Sequence, residues 1–286
     1  MASVAGSPTV RSRRLGKELR RLREESGHTC EHVAGLLRCS ASRISRIESG
    51  EIKVRPGDVY ELLELYAVPD EHRHELLEMA KDVRREGWWQ RYDDVLPKRY
   101  LTYILMESEA RQIRVFEHSL VHGLLQTADY SRAIQRTDPE AHGPEAFKKA
   151  DARIARQAVL ERPGEPLLLH VVLDEGALHR QVGGRDVMRE QLRHLVKQAT
   201  LPNVTLQVLP FGRGAHPGMA GSFSIMDFPD PTDRSVGFSN IQVLGERTFE
   251  RPAEIKELNL VFDQLIELAL APAETVELIT QLMEEP

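Results

Sequence analysis

The stretch from Thr29 to Gly50, T-C-E-H-V-A-G-L-L-R-C-S-A-S-R-I-S-R-I-E-S-G, constrains this chain more than any other. It reads as two short helices joined by a tight turn. Ala34 is a small residue inside the first, where the second must approach closely. Ser40 is a good N-cap for the second helix, Ala41 to Ser49, because its side-chain oxygen can accept from an amide of the first turn. Ile44 and Ile47, three apart, give that helix a narrow apolar face. The opposite face carries Ala41, Ser42, Arg43, Ser45 and Arg46, all small or basic. Gly50 then ends the helix, as a glycine at that position does. A helix with such a face fits the major groove of DNA. There Arg gives guanine two hydrogen bonds, Ser reads several base edges and Ala offers a methyl contact.

Residues 13–56 resemble the phage-repressor-type, or XRE-type, helix-turn-helix. The resemblance implies a structural brace between an arginine of the preceding helix and a glutamate near the end of the reading helix, here Arg23 and Glu48. It also implies base reading by Ala41, Ser42 and Arg46, with Arg43 nearby. There is one departure. The family usually has a glutamine at the start of the first motif helix, where it meets a phosphate; this chain has Cys30. The plain alternative is a helical hairpin that binds protein and never touches DNA.

Charge agrees with the first reading. Residues 1–55 hold 12 Lys and Arg against 6 Asp and Glu, a balance of +6, whereas the whole chain is formally −6, which leaves −12 for residues 56–286. A basic head on an acidic body is the footprint of a chain whose head alone meets phosphate. Arg11, Arg13, Arg14 and Lys17 open the first helix, and Lys53 and Arg55 follow the reading helix. Both sets are placed to touch the DNA backbone, and for any one of them a solvated surface is the competing explanation.

The chain has 286 residues, enough for about two domains. Its longest strongly apolar stretch, Leu167 to Leu173, is far too short to span a bilayer. The N-terminus lacks the apolar core of a signal peptide. Only Cys30 and Cys39 occur, with no CxxC pair and no zinc-type spacing. Free thiols in a reducing cytoplasm are expected, with a redox switch through the pair as the sharper alternative.

Punctuation divides the chain into a flexible arm (1–12), a helix-turn-helix DNA-binding domain (13–86), a Trp-rich hinge (87–97) and a second domain (98–286). The head is expected to be all-α with five helices. Its last two are Gly57 to Val68 and Glu71 to Arg85, the latter capped by Asp70 and buried through Leu76, Leu77, Ala80 and Val83. The second domain mixes helix and strand. Helices are expected over Tyr100 to Phe116, Pro144 to Leu160 (Phe147, Ile154 and Leu160 inward), Asp174 to Val182, Arg185 to Ala199, Ile255 to Ala271 and Glu274 to Met283, and the stretch Val121 to Tyr130 reads as a turn running into a short helix through Ile134. Strands are expected over Leu167 to Leu173, Val204 to Leu209, Phe223 to Phe228 and Ser235 to Phe238. The late cluster of strands favours an α+β fold.

The stretches G123-L-L-Q-T-A-D-Y130, R153-I-A-R-Q157, D174-E-G-A-L178, N203-V-T-L-Q-V-L-P-F211 and G218-M-A-G-S-F223, with the G-W-W hinge, resemble a second family. It is a C-terminal domain of unknown function that follows an XRE-type head in actinobacterial regulators, WhiJ-type developmental regulators among them. The resemblance implies a transcriptional regulator, often encoded beside a small acidic protein that binds it in an antitoxin-like pairing. One departure falls at Val236 to Leu244, where relatives carry an acid after the strand and this chain has none until Glu246.

Within that domain, Arg153, Arg156, Gln157, Asp174, Glu175 and His216 are the candidates for partner or ligand binding. Each has a plain alternative: G-L-L-Q-T as a loop that seats a helix, Arg153 and Arg156 as braces for Asp174-Glu175, and R213-G-A-H-P-G-M-A-G221 as a connection. No catalytic residue, cofactor or metal is expected. His118 and His122 are four apart, but no third ligand follows, and no nucleophile elbow occurs. The sequence therefore reads as a cytoplasmic, non-enzymatic regulator that binds double-stranded DNA as a homodimer. Its second domain would dimerise and would sense a small protein partner or a metabolite. The alternative is an antitoxin-like module that neutralises a small partner and binds only its own promoter.

Overall fold

The computed structural model describes residues 10–52, 54–83, 88–137, 144–241 and 245–284. Lys53, Gly87 and most of the N-terminal arm lie outside them. Two compact units form: residues 1–93 with 97–109, and residues 94–96 with 110–286. The first is helical and carries the helix-turn-helix; the second combines a mixed sheet with helices.

The first unit contains α1 (Val10–Glu25), α2 (Cys30–Leu36), α3 (Ala41–Glu48), α4 (Pro56–Leu65), α5 (Asp70–Val83) and α6 (Lys98–Glu109). Leu15 and Leu19 of α1, Val33 of α2, Ile44 of α3, Leu62 and Leu63 of α4 and Leu76 of α5 form one buried core. Asp70 lies in the first turn of α5 rather than before it, and Pro69 gives the carbonyl that the Arg73 amide bonds. Between α5 and α6 a 3-10 turn, Trp88–Tyr92, brings Trp88 edge-on to Trp89 and Tyr92, at 6.0 and 5.9 Å.

The second unit holds a six-stranded sheet in the order β3-β2-β1-β4-β5-β6. Its strands are β1 (Gln112–Glu117), β2 (Leu168–Asp174), β3 (Val204–Leu209), β4 (Phe223–Asp227), β5 (Val236–Ile241) and β6 (Gly245–Phe249). β1, β2 and β3 are parallel; β4, β5 and β6 continue antiparallel. The helices are α7 (Ala128–Gln135), α8 (Pro144–Ala155), α9 (Gly176–His179), α10 (Arg185–Gln198), α11 (Pro252–Leu268) and α12 (Pro272–Glu284). Phe262 and Leu265 of α11 pack on Phe116, Val172, Phe223 and Ile225 of the sheet.

Three expectations need correction. The helix read over Tyr100 to Phe116 stops at Glu109, and Gln112 to Glu117 is a central strand. β1 has neighbours on both edges and buries Ile113, Val115 and Phe116, so sheet pairing overrides a helix-compatible pattern. By its contacts α6 groups with the first unit. The helix read over Asp174 to Val182 shrinks to Gly176–His179, because β2 takes Asp174. Phe147 is exposed, 51%, where an inward side chain was expected. β6, which follows a segment outside the described residues, was not foreseen.

Candidate nucleic-acid interface

Local chemistry builds α2 and α3. Thr29 caps α2, its Oγ1 accepting from the His32 amide at 3.2 Å, and Ser40 caps α3, its Oγ accepting from the Arg43 amide at 3.2 Å. Ile44, Ile47 and Glu48 turn inward, while Ser42, Arg43, Ser45, Arg46 and Ser49 are exposed and Ala41 is half-buried. The outer face of α3 is thus a strip of hydroxyls and guanidinium groups that offers donors and acceptors to a groove.

Two glycines let α1 press on the end of this helix. A Cβ on Gly16 would stand 2.5 Å from the Glu48 carbonyl oxygen and 2.7 Å from that of Ile47. Gly50 has φ +76° and would meet the Arg13 backbone at 2.8 Å. The first supports a backbone-to-backbone contact that no side chain admits; the second also needs the left-handed region.

Arg23 of α1 closes the arrangement. Its Nε donates to Glu48 Oε1 at 2.6 Å, its Nη2 to Oε2 at 3.0 Å and its Nη1 to the His28 carbonyl at 2.8 Å. The Glu48 carboxylate raises the Arg23 pKa against the opposing effect of burial. Cys30 also faces this carboxylate, its Sγ 3.9 Å from Glu48 Oε2, and burial followed by the Glu48 charge pushes the thiol pKa up. At the position where the resemblance implied a phosphate-binding glutamine, the side chain therefore turns toward the brace.

Both arginines of the reading face meet acids from outside α3. Arg43 Nη2 donates to Asp58 Oδ2 of α4 at 2.6 Å, and Arg46 Nε lies 3.4 Å from Glu51 Oε2. Sequence reading placed the arginines and missed these partners, since nothing in the linear pattern ties Asp58 to Arg43. Around the strip, Arg14, Lys17 and Arg55 are exposed and Arg13 is half-buried. Arg55 stands at the N-cap position of α4 without a side-chain cap bond. Arg11 instead turns to Glu109 of α6, 3.5 Å away.

In the second unit, the sequence candidates separate into two groups. Arg156, buried, and Gln157 lie in a 3-10 turn, Arg156–Glu161, that follows α8. Gln157 Nε2 donates to the carbonyls of Gly123 and Gln126, at 3.3 and 2.7 Å. Arg153 lies on α8. Asp174 and Glu175 sit at the end of β2 and face other partners. Asp174 Oδ1 accepts from the Gly176 amide at 2.8 Å, and Oδ2 lies 3.4 Å from His216 Nε2. Glu175 Oε2 accepts from the Phe211 amide at 2.6 Å, and Oε1 stands 3.2 Å from His179 Nε2. Gln157 and the Asp174-Glu175 pair thus meet different partners.

Residues 100–281 match the family described as a domain of unknown function, DUF5753. The chain belongs to the DUF5753 family. Residues 14–76 match a helix-turn-helix domain. No curated protein and no solved structure matches the chain.

The motifs of the DUF5753 domain are largely joints. Thr127 caps α7, its Oγ1 accepting from the Tyr130 amide, and its own amide donates to Gln191 Oε1 at 2.7 Å. Gln191 Nε2 returns a bond to the Leu125 carbonyl at 2.7 Å, Gln126 Nε2 donates to the Val121 carbonyl, and Tyr130 OH accepts from the Val121 amide. The G-L-L-Q-T loop is thereby locked to α10. The Gly-rich loop forms two 3-10 turns, Phe211–Arg213 and Pro217–Ala220, with Arg213 Nε on the Leu268 carbonyl and the His216 ring edge-on to Phe116.

His118 and His122 do not share a helix, and His122 Nδ1 instead meets Glu117 Oε1 at 2.9 Å. Among the described residues, no three His, Cys, Asp or Glu gather in a way that would hold a metal ion, and no helix is long and apolar enough to cross a membrane. One network escaped the sequence reading. Arg114 of β1 donates to Asn259 of α11 at 2.5 Å and to Asp227 of β4 at 2.8 Å, tying helix to sheet.

Proposed function

We propose that this chain is a non-enzymatic, sequence-specific transcriptional regulator of the XRE type, acting in the cytoplasm. The observation that carries this reading is the solvent-facing strip Ser42, Arg43, Ser45 and Arg46 on a helix whose inner side is pinned by a buried ion pair. Ser42, Arg43 and Arg46 read base edges, Ala41 adds a methyl contact, and Arg13, Arg14, Lys53 and Arg55 hold phosphates. Binding to two half-sites about 34 Å apart requires two copies of the head. The DUF5753 domain supplies the dimer contacts and the response. A WhiJ-type arrangement, in which a small acidic protein docks on that domain, is the favoured input, and a metabolite is the other.

The test is binding of the purified protein to its own upstream region at two salt concentrations, with and without the small protein encoded beside it. Tight, salt-sensitive binding that the partner alters supports a partner-controlled autoregulator. Tight binding indifferent to the partner turns the response toward a metabolite. Binding no better than to random duplex overturns the regulator reading and leaves the protein-binding hairpin.

A further inference from the structure

On a surface built to meet phosphates, an acid costs affinity, so Asp58 stands out. It lies in the first turn of α4, three residues after Arg55 and in contact with the reading helix. An acid in a first turn is favoured by the helix dipole wherever its side chain points, so its presence there decides nothing. Its contact does: Asp58 Oδ2 accepts from Arg43 Nη2 at 2.6 Å.

Helical spacing explains the reach. Ile44, Ile47 and Glu48 define the inner side of α3. Ser42, Ser45, Arg46 and Ser49 centre on the opposite side, and Arg43 falls at the flank nearest Ile47. A guanidinium there has many rotamers, only some of which reach into a groove. A carboxylate fixed on the next helix selects among them and leaves the remaining N–H groups of the fork to donate elsewhere.

We propose that Asp58 is a specificity-determining positioning residue, which aims Arg43 at one base pair while lowering attraction to DNA of any sequence. The inference rests on the DNA-binding reading above and adds a residue that touches no base. It predicts two effects of opposite sign when the acid is lost: general affinity rises because a negative charge leaves the interface, and discrimination falls because Arg43 is no longer directed.

The experiment starts from duplexes selected from a randomised pool by the full-length wild-type protein. Affinities of wild type, Asp58→Asn, Asp58→Glu, Arg43→Ala and the Asp58→Asn/Arg43→Ala double variant are then measured on the selected duplex and its single-base-pair variants. Thermal melting runs in parallel. The expected result is that Asp58→Asn loses about tenfold discrimination at the base pair that Arg43→Ala also relaxes. It binds scrambled duplex more tightly, and Asp58→Glu keeps the preference. In the Arg43→Ala background, Asp58→Asn changes discrimination no further. Asp58→Asn that only tightens binding equally on all duplexes would overturn the proposal, as would an equal loss of discrimination with and without Arg43. A loss of melting temperature that accounts for the lost discrimination would do so too. If the wild type selects no sequence, the DNA-reading account falls as well; selective wild type with no Asp58–Arg43 coupling removes this inference alone.

Discussion

Arg23 and Glu48 are joined by two parallel hydrogen bonds, 2.6 and 3.0 Å long, with both side chains nearly sealed from water. The pair links α1 to the last turn of α3, so the tilt of the reading helix depends on a charge pair twenty-five positions apart in sequence. Glu48→Ala leaves the guanidinium buried without its counter-charge, and a loss of roughly 3–5 kcal/mol is expected. Replacing both residues by Met and Leu is expected to recover most of that stability. Denaturant melts of the two variants decide; unchanged melting of Glu48→Ala would remove the brace from the account.

Gly16→Ala is expected to destabilise the helical unit by about 1–3 kcal/mol, the cost of forcing a methyl into a filled site. The added Cβ would face two carbonyl oxygens at the end of α3, which are backbone and cannot rotate away. Gly57→Ala, where nothing lies within 4 Å of the new methyl, is the control. Equal melting temperatures for the two variants would contradict the close approach of α1 and α3.

The helical unit was readable because its signals are local. The cap at Ser40, the Ile44–Ile47 face and Gly50 all act within a few residues of one another, and the structure places them as the pattern implies. The strands at Val204 and Phe223 were readable for the same reason. β1 was not: Q-I-R-V-F-E follows a helix with one apolar residue after another, and only pairing with β2 and β4, 56 and about 110 residues away, makes it a strand. Asp58 and Glu51 escaped notice because acids on a basic surface carry no linear signature of the arginine each one meets. Arg114 and Asn259, 145 residues apart, were invisible in the same way.

The two units are expected to respond to pH in opposite directions. In the helical unit, a hydrogen bond to Glu18 raises the His72 pKa above its ordinary value of about 6.5, with Glu75 helping. That contribution is complete below about pH 6.5 and is lost as pH rises through the raised value. In the sheet unit, burial lowers the pKa of His170 and His194. Their contribution is present above about pH 6.5 and is lost as pH falls below it. Hydrogen exchange at pH 6 and pH 8, corrected for intrinsic rates, should show α1 and α5 better protected at pH 6 and β2 and α10 better protected at pH 8. His72→Gln should abolish the first effect. Parallel changes in both units would refute the assignment.

Arg46 is central on the outer face of α3, and Arg46→Ala is expected to cost about 1–3 kcal/mol on the preferred duplex and to relax preference at one base pair. Arg55→Ala, on the flank, is expected to weaken binding on all duplexes alike and to shallow the salt dependence by about one counterion. A uniform loss for Arg46→Ala would make it a phosphate contact.

The most direct measurement is the ratio of affinities for a duplex selected from a random pool and for its scrambled counterpart, by fluorescence anisotropy at about physiological salt. The account predicts a ratio of at least about 10³, with log affinity falling linearly against log salt on both duplexes. A ratio near one, whatever the absolute affinity, would contradict the claim that α3 reads sequence.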